Sequence, residues 1–362
     1  MIIKPFIETG LSHDTNYFSS QNNERPVTIY YIKPGLEFGY TTPKSNLLFD
    51  YVLSANWYDE HGDPPAGRVS ADEYNYIGHD MQLSADTQIT DLFNIGLEDA
   101  YILTRDPKSL DYYSNEIITH KYSKNKFNPK IFYQFGEKFG VGAGYTNTRI
   151  DYKSGTDEDS KENRGSFNLD YNLSRLNSLD LGYQVWEKDY ANLSPDYTSN
   201  QVTLTFSREL KYYTLAAGGG YHDRNFDDPA IKDLAGFVWN LAILGTRPQM
   251  LFSLSQNIND TALYGDYYIA TRFYAEVGHL FLEKLNVKFK GYYQNSDYQD
   301  NPDNRQDDSW LAALRIDYLR NEIFSISLET GYETRDSTVS VNNYDNSFVL
   351  LEIKLNYNLG SK

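Results

Sequence analysis

A chain of 362 residues with no cysteine, 33 tyrosines and a net charge of −17 excludes disulfide scaffolds, thiol catalysis and thiolate metal sites. Its acidity, with a pI of about 4.8, repels phosphate backbones and argues against any nucleic-acid partner. Mean hydropathy is −0.61 and no run of ~20 apolar residues occurs, so no membrane helix is expected. A barrel strand, which needs apolar residues only at alternate positions, stays open.

Taken in chain order, the alternation predicts about eighteen strands. They fall near 2–12, 27–41, 45–58, 74–90, 92–104, 116–136, 139–152, 163–175 and 179–189 in the first half. The second half continues with 199–209, 212–224, 234–246, 249–259, 266–282, 285–296, 308–320, 323–335 and 345–359. Sixteen strands result instead if the pair near Tyr212 and Ala235 does not form. Eight short turns join them, at Thr41–Asn46, Thr90–Asn94, Gly136–Gly140, Ser174–Ser178, Arg208–Tyr212, Gly245–Gln249, Leu282–Asn286 and Leu319–Ile323. Each is followed, one strand later and before the next turn, by a long polar loop. Short turns at one end and long loops at the other predict a single all-β domain over 1–362, an antiparallel up-and-down transmembrane β-barrel. An even strand number puts both termini on the short-turn, periplasmic side.

The facing of each strand follows from its period of two. Val349, Leu351, Ile353 and Leu355 oppose Leu350, Glu352 and Lys354; Trp310, Leu314, Ile316 and Tyr318 oppose Leu311, Arg315 and Asp317. Leu47, Phe49, Tyr51 and Leu53 oppose Asp50 and Ser54, and Phe167, Leu169 and Tyr171 oppose Asn168 and Asp170. A soluble sandwich also alternates, with shorter strands and more even loops. If the apolar face meets lipid, the other face lines a lumen. Its expected ionisable residues are Glu8, Lys33, Glu37, Asp50, Asp86, Lys130, Asp170, Asp180, Arg272, Glu276, Lys288, Lys290, Arg315, Asp317, Glu329, Glu333, Glu352 and Lys354. They act either as a field that sets selectivity or simply as hydrated wall.

The long loops are predicted to be acidic, at Asp59–Asp63, Asp157–Glu162, Asp297–Asp303 and Asp307–Asp308. The short turns carry Lys44, Lys138, Arg175, Lys211, Arg247, Lys284 and Arg320. Solvation explains the pattern, and so does retention of divalent cations among lipopolysaccharide phosphates. Gly140, Gly142 and Gly144 share one face of a strand, and Gly218–Gly220 lie in another; they either widen a passage or relieve crowding where the sheet bends. The GVGAG run precedes no helix and is not a nucleotide loop.

No catalytic residue, metal site or cofactor is expected. The six histidines (His13, His61, His79, His120, His222, His279) lack zinc-site spacing. Three precede an aspartate, but neighbouring strand residues point to opposite faces, which makes a poor dyad. The start Met1–Pro5 carries no leader pattern, so a mature sequence is expected, with a leader encoded upstream.

Phe6–Phe18, with its Asp14-Thr-Asn16-Tyr17 turn, precedes the Pro34-Gly35 strand Tyr31–Tyr40. This opening resembles the outer-membrane beta-barrel porin family often encoded beside exopolysaccharide genes. Its end departs from the usual aromatic terminus, since Tyr357 is followed by five further residues. The resemblance implies a bacterial outer-membrane conduit, in contact with lipid and lipopolysaccharide, that exports exopolysaccharide with a periplasmic polysaccharide-export protein. On that view Tyr31, Phe132, Trp186, Tyr268, Tyr274 and Tyr292 stack on sugar faces, or else belong to the aromatic girdles. Two other readings remain at this stage: a general diffusion porin for small hydrophilic solutes, and a structural barrel that sheathes or anchors a partner.

Overall fold

Every backbone N–H and C=O inside hydrocarbon needs a partner within the protein, and a chain of alternating strands meets that demand only by closing on itself. The computed structural model does so. It describes residues 1–64, 67–106, 120–153, 158–192, 194–260, 267–299, 301 and 303–359. The strands are β1 (Ile2–Asp14), β2 (Val27–Thr41), β3 (Ser45–Glu60), β4 (Tyr76–Thr90), β5 (Phe93–Thr104), β6 (Tyr122–Phe135), β7 (Phe139–Tyr152), β8 (Ser160–Asn172) and β9 (Asn177–Tyr190). They continue as β10 (Tyr197–Glu209), β11 (Tyr213–Phe226), β12 (Leu234–Thr246), β13 (Gln249–Asp260), β14 (Tyr267–Phe281), β15 (Leu285–Gln299), β16 (Gln306–Leu319), β17 (Phe324–Ser337) and β18 (Tyr344–Asn356).

Each strand pairs antiparallel with its sequence neighbours, and β1 closes the ring on β18 from Phe6↔Asn356 to Asp14↔Phe348. The β11–β12 ladder runs from Tyr213↔Gly245 to Arg224↔Leu234, so the sixteen-strand alternative does not hold. Among the described residues no helix is long and apolar enough to cross a membrane, which says nothing about crossing by strands.

All eight predicted turns sit where strands meet, and their side chains show why. Thr42 Oγ1 accepts from Ser45 N, Ser174 Oγ from Asn177 N, and Asn321 Oδ1 from Ile323 N and Phe324 N. A short polar side chain thus takes up backbone donors that the ladder no longer serves. Gly136 adopts φ +62°, a conformation that suits a residue without Cβ.

The opposite end departs from expectation in detail. Most strands, though not β4 or β14, run further toward the long loops than predicted, because polar residues there still find ladder partners. Lys161 and Glu162 belong to β8, Asp297 to β15, and Asp307 and Asp308 to β16. The sixth strand begins at Tyr122 rather than 116; residues 116–119, Asp157 and Asp300 lie outside the described residues. Several of these acids are engaged within the protein. Glu158 accepts from the backbone N–H groups of Asn192 and Ser194, and Asp307 pairs with Arg305 at 2.6 Å. Among the described residues, no group of three or more His, Asp or Glu is arranged to hold a metal ion.

The outer wall carries the exposed apolar side chains, among them Leu204, Phe237, Phe289, Trp310, Leu314 and Leu351. Burial is concentrated instead on polar inward residues such as Ser199, Arg224, Gln294 and Asp307. That inversion of the soluble pattern is what lipid outside and water inside require.

Candidate functional site in the barrel lumen

Ladder partners lie on one face of a sheet, so the register assigns a face to every strand residue. Starting from Glu352, opposite Ser327 and Gly10, the register carries around the ring through Arg315↔Glu329, Lys288↔Arg315, Glu276↔Lys290, Asp170↔Asp180, Asp86↔Gly96 and Glu37↔Asp50. All eighteen residues expected to line the lumen share this inward face.

Many of these charges are matched. Arg315 is the hub: Nε donates to Asp317 at 2.7 Å, Nη2 to Glu352 at 3.0 Å and Nη1 to Glu329 at 3.5 Å. Lys290 reaches Glu329 at 2.7 Å, Lys33 reaches Glu8 at 3.3 Å, and Lys4 reaches Glu37 at 3.7 Å. On the other side Lys130 bridges Glu98 at 2.6 Å and Asp86 at 3.9 Å. Glu333 accepts from the Tyr292 hydroxyl at 2.7 Å, Glu276 from that of Tyr274 at 2.8 Å, and the Lys354 ammonium lies 4.3 Å from the Phe6 ring centre. Arg272, Lys290 and Arg315 are therefore knitted into the wall of β14 to β18. A lattice of this kind orients each charge and costs desolvation that its hydrogen bonds offset.

The six aromatic residues expected to stack on sugars share the inward face, yet cations already cover several of them. Lys33 lies over Tyr31 at 4.0 Å, Arg164 over Trp186 at 4.1 Å, and Arg272 over Tyr292 at 3.8 Å. Tyr268 is buried against Tyr298, and Tyr274 is tied by its hydroxyl as above. Phe132 lies over Gly140, where a Cβ would collide with its ring. A Cβ at Gly142 would meet the Asn168 side chain, and one at Gly144 would meet Ser166 Oγ at 2.8 Å. The glycine stripe thus receives side chains from neighbouring strands, which is the crowding account. It also borders a 290 Å³ cavity lined by Asp86, Lys130 and Phe132.

One feature was invisible to strand-by-strand reading. β13 pairs with β12 only as far as Trp239↔Gln256, while its pairing with β14 continues to Asp260↔Tyr267. By alternation Asp260 and Tyr267 belong to the outward set. Instead Asp260 accepts hydrogen bonds from Lys188 Nζ, from Tyr190 OH at 2.5 Å and from Tyr197 OH at 3.1 Å, with Arg224 Nη2 at 3.7 Å. Tyr267 stacks on Phe226, ring centres 4.9 Å apart. These partners belong to β9, β10 and β11. The strand ends at Asp260 and Tyr267 therefore bend inward and pack against β9, β10 and β11. The only sequence signal was an acid in an outward register position at a strand end.

A second inward mass forms on the opposite arc. Tyr17 and Phe18, from the β1–β2 connection, and Tyr74, from a 3-10 turn at Ala71–Tyr74, pack with Val27, Tyr58 and Tyr76. Arg25 clamps Glu60 through two hydrogen bonds of 2.5 and 2.6 Å and donates to the Val69 carbonyl at 2.7 Å. Burial raises the Tyr17 pKa well above its ordinary value, so its hydroxyl stays neutral. Between the inward-bent strand ends and the wall of β6 to β11 lies a polar cavity of about 630 Å³, bordered by Lys126, Arg164, Trp186, His222, Arg224 and Asp260.

A closed barrel with an apolar exterior, short turns on one side and a charged interior defines a transmembrane β-barrel of the kind that resides in the bacterial outer membrane. The comparisons agree: residues 215–357, the span of β11 to β18, match the family described as "Putative beta-barrel porin 2". No curated protein matches the sequence. Among solved structures, Pseudomonas aeruginosa OpdK with vanillate aligns at TM-score 0.54 and 11% identity, covering 98% of this chain and 99% of that one. P. aeruginosa OccK8 (OprE) aligns at TM-score 0.50 and 8% identity, covering 99% and 98%. Acinetobacter baumannii OccAB4 aligns at TM-score 0.50 and 10% identity, with the same coverage. At these identities the likeness is one of fold.

Proposed function

We propose that this barrel is a diffusion porin for small hydrophilic solutes, its inward charges forming the wall past which they move. One observation carries the reading: the inward-bent ends of β13 and β14, held at Asp260, border a polar cavity of about 630 Å³ on the inward face. That volume matches a small solute rather than a hydrated polymer. The fold likeness to OpdK, crystallised with the small molecule vanillate, points the same way. Exopolysaccharide export has less support, because Tyr31, Trp186 and Tyr292 offer ring faces already covered by cations, and nothing in the comparisons speaks for a periplasmic export partner.

Reconstitution into liposomes tests this. Arabinose and similar small sugars enter and swell the vesicles, while dextran does not. Vesicles that exclude small sugars but pass polysaccharide chains would restore the export reading, and vesicles that pass neither would favour a structural barrel.

A further inference from the structure

The 630 Å³ cavity contains two polar groups whose hydrogen-bonding capacity is unused. His222 and Arg224 alternate on the inward face of β11 and are each only 2% exposed. Arg224 spends Nε on Ser199 Oγ at 3.2 Å and directs Nη2 toward Asp260 at 3.7 Å, with its plane 4.0 Å over the Tyr197 ring. Its Nη1 has no partner among the described residues, and neither has His222 Nε2. A buried polar atom left unpaired costs about 1–3 kcal/mol, so two at one cavity wall point to a group that arrives from outside the chain.

The chemistry of that group follows from its neighbours. An arginine N–H demands an acceptor, and an imidazole can add a second donor from Nε2 to the same group. Arg164, 4.1 Å over Trp186, is paired with Glu162 at 3.0 Å, so the positive charge left to the cavity wall is that of Arg224, with the exposed Lys126 further along it. The acids at the cavity are engaged within the protein: Asp260 by Lys188, Tyr190 and Tyr197, Glu162 by Arg164, and Glu158 by the backbone N–H groups of Asn192 and Ser194.

We propose that the His222–Arg224 step of β11 is a binding site for a small oxyanion, the carboxylate or phosphate group of a passing solute. The oxyanion accepts from Arg224 Nη1 and from His222 Nε2, on the side of the cavity away from the Arg224–Asp260 contact. Its role in passage rests on the channel reading, whereas binding itself does not.

Isothermal titration calorimetry on the detergent-solubilised barrel, with sodium acetate in one arm and sodium phosphate in another against chloride of matched ionic strength, tests the site. Binding of either oxyanion is expected, and the arm that titrates names the source of the group. His222→Phe removes Nε2 while leaving the Arg224–Asp260 contact, and is expected to weaken binding about fivefold. Arg224→Lys keeps a cation beside Asp260 but loses the fork, and is expected to weaken it about tenfold or more. Absence of oxyanion heat in the parent protein would overturn the proposal, as would unchanged affinity in both variants. A barrel that conducts chloride yet binds no oxyanion would refute this site and leave the porin reading standing. One that binds oxyanion but conducts nothing would do the reverse.

Discussion

Arg315 on β16 and Glu352 on β18 meet at 3.0 Å across the intervening strand β17, and Glu352 in turn accepts from the Tyr31 hydroxyl of β2 at 3.0 Å. The first and last hairpins are thereby joined by side chains on the inward face as well as by the ladder that closes the ring. Arg315 is surrounded by three carboxylates, and the contrast with its outward neighbour Leu314 gives the most direct test of facing.

Arg315→Glu would replace the hub of that cluster with a fourth acid. Breaking a partly buried network of this kind costs roughly 3–5 kcal/mol, spread over the wall, and the barrel is expected to insert with increased preference for cations. Leu314→Glu places a carboxylate in lipid, where midplane charges cost up to about 2–4 kcal/mol, and assembly is expected to fail. Reversal potentials in a salt gradient and heat-modifiable gel mobility read the two outcomes. Equal tolerance would show the faces to be assigned wrongly.

Asp260→Ala should release the inward-bent strand ends. Lys188, Tyr190 and Tyr197 lose their shared acceptor, and single-channel conductance is expected to rise with noisier current. Lys188→Met is expected to do likewise, to a smaller degree. A conductance identical to the parent's in both would mean that the strand ends hold their place without this anchor.

Two adjacent glycines separate wall geometry from composition. A Cβ at Gly220 would collide with the Val202 carbonyl and Thr203 Cα, both backbone, whereas one at Gly219 meets only the Val238 carbonyl at 3.9 Å. Gly220→Val is therefore expected to prevent folding or distort the β10–β11 ladder, and Gly219→Val to be accepted on the lipid side. Refolding yield into detergent micelles distinguishes them.

On the opposite arc, Arg25 and Glu60 hold the rim cluster together by a bidentate pair with little exposure. Glu60→Gln leaves Arg25 without its carboxylate and is expected to loosen the packing around Tyr17 and Phe18, at a cost of about 3 kcal/mol. Faster proteolysis of the β1–β2 connection in whole cells, with the barrel itself intact, is the expected readout.

Strand number, turn positions and inward facing were legible because each depends on residues close in sequence. Alternation at Val349–Leu355 or Leu47–Leu53 is a period of two, and Thr42, Ser174 and Asn321 announce turns by their own side-chain chemistry. The long-loop ends were read less well. Polar residues such as Lys161, Asp297 and Asp307 look like loop, yet their backbone groups pair with a neighbouring strand whatever their side chains are. Likewise Tyr31, Trp186 and Tyr292 share the face of Glu352, and the cations over their rings are contributed by folded neighbours that a face assignment does not reveal.

Sequence by itself determined the solvent each face meets, and with it the barrel, because lipid and water sort side chains at alternate positions along one strand. Only the tertiary structure decided what occupies the lumen. Asp260 finds Lys188 across 72 residues of chain, and Tyr31 finds Glu352 across 321. Such partners are brought together by ring closure and by strand ends that abandon their own alternation, and neither event leaves a periodic trace in the residues that take part.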